Sequence, residues 1–254
     1  MDGCIHVEYK GERKCKLRHG KGIAKWSTGE IYDGDWDNDS RHGHGIYKNT
    51  DETKYDGQWK NNTTHGQGKC EWKSGSTYNG QWKNGKKCGY GVYTWKDNER
   101  KYNGEWKDDK ISGKGVMLYS DGSKYIGEWK NGKMDGEGIF LWCNGRKYEG
   151  EFKNDMRHGR GKMTGSDGSS YDGAYKKDRR NGIGKWKSCN GDVYDGNWLN
   201  DQMDGKGTLI SSGNNIYTGQ WKNGLRHGKG YTIWNDGRCY GGEFQNDRKK
   251  WRGR

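Results

Sequence analysis

Proline is missing from this chain, and the aliphatic residues that build most protein interiors are scarce. Leu, Ile, Val and Phe together number 24 of 254 residues, set against a net charge of +13. On its own, so charged and so weakly apolar a composition reads as disorder. No run of 18 apolar residues occurs, which argues against a membrane-spanning helix. Residues 1–20 carry charges throughout and lack an apolar stretch, so no secretory leader is expected. The seven cysteines are odd in number and form no Cys-x-x-Cys pair. That argues against a zinc site or a disulfide framework and for a reducing cytoplasm, where the three Asn-x-Ser/Thr sequences at 38–40, 61–63 and 62–64 would stay unmodified.

What the chain does have is 14 Trp, 17 Tyr and 46 Gly, and these stand in register. The stretch from Tyr217 to Gly230 reads Tyr-x-Gly-x-Trp, six residues, then Gly-x-Gly. The pattern begins at Tyr9, Tyr32, Tyr55, Tyr78, Tyr102, Tyr125, Tyr148, Tyr171, Tyr194, Tyr217 and Tyr240, with the last copy truncated. Every step is 23 residues except the one from Tyr78 to Tyr102, which is 24. A fixed period of this length marks one repeat array, taken as a single domain over 1–254, with residues 1–8 capping its first edge. Trp36, Trp59, Trp82, Trp106, Trp129, Trp198 and Trp221 hold the fifth position, while Arg13, Phe152, Tyr175 and Phe244 replace that tryptophan.

Each repeat predicts two short strands. In Tyr148-Glu-Gly-Glu-Phe152 the rings fall on alternate residues, so Tyr, Gly and aromatic share one face. Asn-Gly in the loop Lys83 to Lys86 is a hairpin signal, because both residues tolerate positive φ. A second short turn, such as Asp121-Gly122, leads into the next copy, which makes all neighbours antiparallel. A ring can lie across the gap that a strand glycine leaves. The expected fold is therefore all-β: an elongated, twisted antiparallel sheet of tandem hairpins, roughly 100 Å long at about 4.8 Å per strand. Helix is disfavoured by the density of glycine. The structural ladder is expected at Tyr55, Gly57, Trp59, Tyr78, Gly80, Trp82, Trp106, Trp129, Tyr217, Gly219 and Trp221.

This unit closely resembles the membrane occupation and recognition nexus (MORN) repeat, from Tyr9 nearly to the C-terminus. The resemblance implies stacked β-hairpins that often self-associate and serve as scaffolds or adaptors. Arrays of the family also accompany catalytic domains of lipid phosphate kinases and lysine methyltransferases, but this chain has no length left over for one. A likeness of this kind fixes fold better than function.

No catalytic, cofactor or metal site can be nominated. Gly-x-Gly recurs without the continuation of a phosphate-binding loop. His19, His42, His65, His158 and His227 share the eleventh position, but neighbours two strands apart stand about 10 Å from each other. Metal ligands share an ion at about 2 Å. That position is expected to close the hairpin loop by hydrogen bonding, and Glu105, Glu128, Glu151 and Glu243 at the fourth position read as a solvated face.

The charge is more informative. Positions six to ten of the eleven copies net +14, the whole chain +13, so the basic excess belongs to one loop edge. Its candidates are Lys83, Lys86, Lys87, Lys130, Lys133, Lys176, Lys177, Arg179, Arg180, Lys222 and Arg226, extended by the tail from Arg248 to Arg254. Such an edge either keeps sheet margins from sticking or meets anionic lipid heads or an acidic protein. Nucleic acid is disfavoured, since the rings needed for bases are committed to the ladder. The expected function is a non-enzymatic, cytoplasmic scaffold for protein partners at cytoskeletal or membrane-associated structures. Peripheral binding of anionic phospholipid is the alternative, and a regulatory subunit of an enzyme a third. An open aromatic groove on the ring face and dimers through the open edge strands are also expected.

Overall fold

A computed structural model describes residues 6–96 and 99–250. Twenty-two strands and, among the described residues, no helix are present. They fall into two compact units, Met1–Gly122 with Trp129–Gly132, and Ser123–Glu128 with Lys133–Arg254. Within each unit strands pair antiparallel with their neighbours in the chain, as in Thr77–Lys83 with Lys86–Thr94, or Ser170–Lys176 with Arg179–Lys187. Nine of the ten full repeats pair as hairpins, and the truncated eleventh copy forms one as well, from Cys239–Gln245 and Arg248–Lys250.

The hairpins close through two-residue turns in which both residues have positive φ. Asn84 and Gly85 lie at 49° and 79°, Asn38 and Asp39 at 47° and 64°, and even Lys177 and Asp178 at 50° and 67°. This mirror-image turn matches the right-handed twist of the flanking strands. Asn-Gly is its cheapest sequence, but the repeat imposes it on Asn-Asp, Asp-Asp and Lys-Asp too.

The interior is a ladder of rings on glycine. In the ten full copies the first-position tyrosine lies flat across its own hairpin's glycine pair, so a Cβ added at Gly45 would stand 2.4–2.6 Å from atoms of the Tyr32 side chain. The hydroxyl then reaches past the glycines and donates to the fourth-position carbonyl, 2.9 Å for Tyr32 to Asp35 and 3.0 Å for Tyr78 to Gln81. Edge-on rings flank the tyrosine on both sides. Tyr32 meets its own Trp36 at 5.0 Å and the next copy's Trp59 at 5.4 Å, with planes at 89° and 84°. The indole N–H ties the two copies together: Trp36 donates to Gly22 O, Trp59 to Gly45 O and Trp198 to Gly184 O at 2.9–3.0 Å. Such edge-to-face pairs add about 0.5–1.5 kcal/mol beyond burial, which is how so few aliphatic residues suffice.

Past the glycine pair the register shifts, as between Gly34 and Asp35, and the twelfth-position glycine takes the left-handed conformation of a β-bulge. The fourth-position side chain covers this bulge. Asp35 accepts the His44 N–H at 2.8 Å, Gln58 that of Gln67 at 2.9 Å, and Glu151 that of Arg160 at 2.8 Å. Glu105 does the same for Lys114. The fourth position is therefore a cap for the bulge, which corrects its reading as a merely solvated face. Capped glycines such as Gly43, Gly66 and Gly159 sit at φ 54–58°. Where position four is Ala174, or Asn197 donating instead to the Lys206 carbonyl, Gly182 and Gly205 open to 102° and 96°. Gly136 lies at 110° beside Glu128.

Two outcomes follow. Ala174→Gln supplies the missing acceptor at the eighth bulge and should raise stability by about 0.5–1.5 kcal/mol, read as a higher urea midpoint at unchanged slope. Burial pushes the Tyr175 and Tyr217 hydroxyls up to about 12, and Tyr32, Tyr78 and Tyr194 further. Because the tyrosine pKa values are raised in the fold, this stability is complete below the unfolded tyrosine value of about 10. It is lost as pH rises through about 12. Tyrosinate absorbance should thus appear together with loss of the near-ultraviolet dichroism; ionisation of most tyrosines near pH 10 with the fold intact would contradict it.

Candidate functional site

All the tyrosines and tryptophans assigned to the ladder are buried, from 0% exposure at Tyr78 to 8% at Trp82. Gly57, Gly80 and Gly219 lie under Tyr55, Tyr78 and Tyr217. The ring ladder is consequently not an open groove. A second set of side chains covers it, and these form the surface available to a partner.

The cover begins with the tenth position, whose cation stacks on the fifth-position ring of the next copy. Arg18 lies 4.3 Å from the Trp36 ring, Arg41 4.5 Å from Trp59, Arg180 4.1 Å from Trp198 and Arg226 5.4 Å from Phe244. Lys87 stands 5.1–5.8 Å from four rings, Trp72, Tyr78, Tyr93 and Trp106, and burial lowers its pKa. Three candidates for the basic edge are therefore corrected: Lys87, Arg180 and Arg226 turn onto the aromatic face, because a ring offers their stems and charge more than water at the strand margin does. Lys83, Lys86, Lys130, Lys133, Lys176, Lys177, Arg179 and Lys222 are exposed at the hairpin ends. The part of the basic tail from Trp251 to Arg254 lies outside the described residues.

A clasp holds each stacked arginine. The eighth-position residue of the following hairpin turns its tip back on the preceding copy. The Asp201 N–H donates to the Arg180 carbonyl at 3.0 Å. Asp201 Oδ1 accepts from the Arg180 backbone N–H at 2.9 Å and from Nε at 3.2 Å, and the Asp201 carbonyl from Nη2 at 2.8 Å. Asp39 on Arg18, Asp178 on Arg157 and Asp247 on Arg226 repeat the arrangement, with Nε to Oδ1 distances of 2.9, 3.1 and 3.0 Å. The loop charge is thus partly internal. The eleventh position also closes a loop, but that of the next hairpin: Asp135 accepts the Asn154 N–H and Asp204 that of Asn223. The Nδ1 atoms of His42, His65 and His227 lie buried at the same place.

Side chains at positions sixteen and eighteen form the other wall of a trough. It opens as a cavity of about 390 Å³ between Arg18, Trp26, Trp36, Arg41 and Tyr47 in the first unit. The second unit holds two. One is about 290 Å³, lined by Arg157, Tyr171, Tyr175, Arg180 and Trp186; the other is about 480 Å³, lined by Leu209, Tyr217, Trp221, Arg226 and Trp234. Sequence reasoning missed Arg18, Arg41 and Arg157 as part of this surface; the signal for it is a tenth-position arginine with Asp or Asn at the eighth position of the next copy, as in Arg18 with Asp39, Arg41 with Asn62 and Arg157 with Asp178.

The MORN-repeat model matches ten successive segments of the chain, from residues 9–31 to 217–237. The protein therefore belongs to the MORN-repeat family. No curated protein sequence is similar enough to count as a match. Among solved structures, the TCP10 domain of Danio rerio CPAP, in complex with a peptide of STIL, is 9% identical. That likeness covers 94% of this chain and all of the other, with a TM-score of 0.45. The SAS-4 (dCPAP) TCP domain of Drosophila melanogaster, with a proline-rich motif of Ana2, is 16% identical over 53% of this chain and 77% of the other, with a TM-score of 0.34. At such identities and scores neither likeness bears on what this chain does.

The clasp yields its own expectation. Asp178→Ala removes the acceptor of the Arg157 backbone and Nε while leaving the rings in place. The pair is half-exposed, so the loss should be about 1 kcal/mol, dominated by the backbone bond and not the ion pair. Equilibrium urea unfolding measures it, and a cost that vanishes in high salt would show that charge alone mattered.

Proposed function

We propose that this protein is a non-enzymatic scaffold that binds partner proteins along the trough on its ring face. The observation that carries the reading is the recurrence of one surface, an aromatic floor crossed by ordered cations, at Arg18 and Arg41, at Arg157 and Arg180, and at Arg226. Stacked arginines and large rings give contact area at little further loss of side-chain freedom, the property that enriches them at binding hot spots. The non-enzymatic part is supported by how the ionisable groups are used: fourth-position carboxylates cap bulges and eighth-position carboxylates close clasps, so neither set is poised for proton transfer. Family resemblance suggests a cytoplasmic setting on cytoskeletal or membrane-associated structures. Self-association through the edge strands Val7–Lys14 and Arg248–Lys250 belongs to the same reading.

A second reading, peripheral binding of anionic phospholipid, is favoured by the cations exposed at hairpin ends, eight of the basic-edge candidates among them. At about 1 kcal/mol for each cation near an anionic leaflet, several acting together would hold the chain to a surface.

Photo-crosslinking separates the two. A benzophenone amino acid at Trp26 or Trp234, on the trough wall, should capture protein from a lysate of the source cell. The same group at Tyr90, 59% exposed on the other face, should not. Capture should persist when Lys83, Lys86, Lys176 and Arg179 are changed to Glu. Capture only from Tyr90 would overturn the scaffold reading. Sedimentation with phosphatidylserine vesicles that is lost in the Glu variant would establish the lipid reading in its place.

A further inference from the structure

Of the arginines at the tenth position, Arg41 has a clasp without a charge. Its turn partner is Asn62, where Arg18, Arg157, Arg180 and Arg226 meet Asp39, Asp178, Asp201 and Asp247. The neutral half of the clasp is intact: Asn62 Oδ1 accepts the Arg41 backbone N–H at 2.9 Å and the Asn62 carbonyl accepts Nη2–H at 3.0 Å. Among the described residues, no carboxylate forms an ion pair with Arg41 in place of the missing one. The guanidinium stays stacked, 4.5 Å from Trp59 and 5.0 Å from Tyr47. Burial holds its pKa below the ordinary arginine value, and the charge of Arg18 adds to the effect. A half-buried cation without a counter-ion is an unfinished electrostatic arrangement, and it borders an open cavity of about 390 Å³.

The acids at that cavity are already engaged. Asp39 is held by Arg18, and Glu30 accepts the Thr28 hydroxyl. Their charges at the rim work against a multiply charged anion such as phosphate. A single carboxylate on a peptide stem meets one open cation and, beside it, the rings of Trp26 and Tyr47. We propose that this cavity is a binding site for an acidic side chain of a partner peptide, with Arg41 receiving the carboxylate and Trp26 and Tyr47 flanking an apolar neighbour. The site rests on the protein-binding reading of the trough. It also assigns specificity within it: the second repeat binds acid, whereas the clasped arginines at 18, 157, 180 and 226 present neutralised charge.

Asn62→Asp is the decisive variant, because it builds into the third hairpin the carboxylate that four sibling clasps already carry. It should fold at least as well as the parent and close Arg41 from within. The probe is the blocked peptide acetyl-Phe-Glu-Phe-Glu-amide, with its Gln counterpart and inorganic phosphate as comparisons, read by arginine Nε–H and indole N–H resonances. The Glu peptide should shift Arg41 saturably. Binding should be at least tenfold weaker for the Gln peptide, for phosphate and for Asn62→Asp, and unchanged in Lys185→Gln, at an exposed position outside the trough. Equal affinity for the parent and Asn62→Asp, or an unmoved Arg41 resonance, overturns the proposal, and phosphate binding as tightly as the peptide reduces Arg41 to an adventitious anion site. Trough crosslinking that survives Asn62→Asp would leave the scaffold reading standing while the acidic site falls; loss of crosslinking from the parent itself would retire both.

Discussion

Everything in this protein depends on a tyrosine ring lying directly on glycine backbone. The Tyr78 side chain occupies the space that two Cβ atoms would need, 2.3–2.5 Å from one at Gly91 and 2.6–2.8 Å from one at Gly80. No other residue pair allows that approach. Placing the ring there carries its hydroxyl to the carbonyl of the bulge and leaves its two edges for tryptophans of its own and the following copy. A buried phenol with a satisfied hydroxyl does the work of an aliphatic cluster without leaving a polar group unpaired. The poverty of Leu, Ile and Val is a consequence of this choice.

The same contact sets the rest of the repeat. With the ring across positions three and fourteen, the strands cannot stay in simple register, and the twelfth glycine absorbs the offset at positive φ. The bulge exposes a backbone N–H, and the fourth-position side chain accepts it. The turn then projects so that its eighth residue reaches the preceding copy, where the clasp and the stacked cation close over the next ring. Within each unit, contacts therefore run from a copy to its neighbours in the chain, the arrangement in which stability is a sum of nearest-neighbour terms.

How far this was legible in the sequence follows from which interactions repeat strictly. The glycine pair, the tyrosine and the Asn-Gly turns recur at a fixed period, so strands, pairing and ladder could be read from position alone. The MORN resemblance pointed the same way. The bulge was not legible, because a glycine at positive φ and a glycine beneath a ring are the same letter: Gly89 stands at φ 52° against Gln81, whereas Gly91 lies beneath Tyr78. The cover of the ladder was missed for another reason. Arg180 and Lys176 both count as loop charge, yet one stacks on Trp198 and the other points to solvent. Only the partner at the eighth position of the next copy, more than twenty residues away, decides which.

Divergence between copies carries what the repeat itself does not. The residues that build the ladder are nearly uniform and so cannot distinguish one stretch of trough from another. Positions eight and ten vary as a pair across neighbouring copies: Asp39 with Arg18, Asn62 with Arg41, Gly85 with Thr64, Gly224 with Met203. Each combination keeps the backbone bond from turn to preceding copy, so the fold tolerates all of them. What changes is the charge left at the surface, neutralised in the first, open in the second and absent in the others. A fold indifferent to that variation leaves it available for recognition.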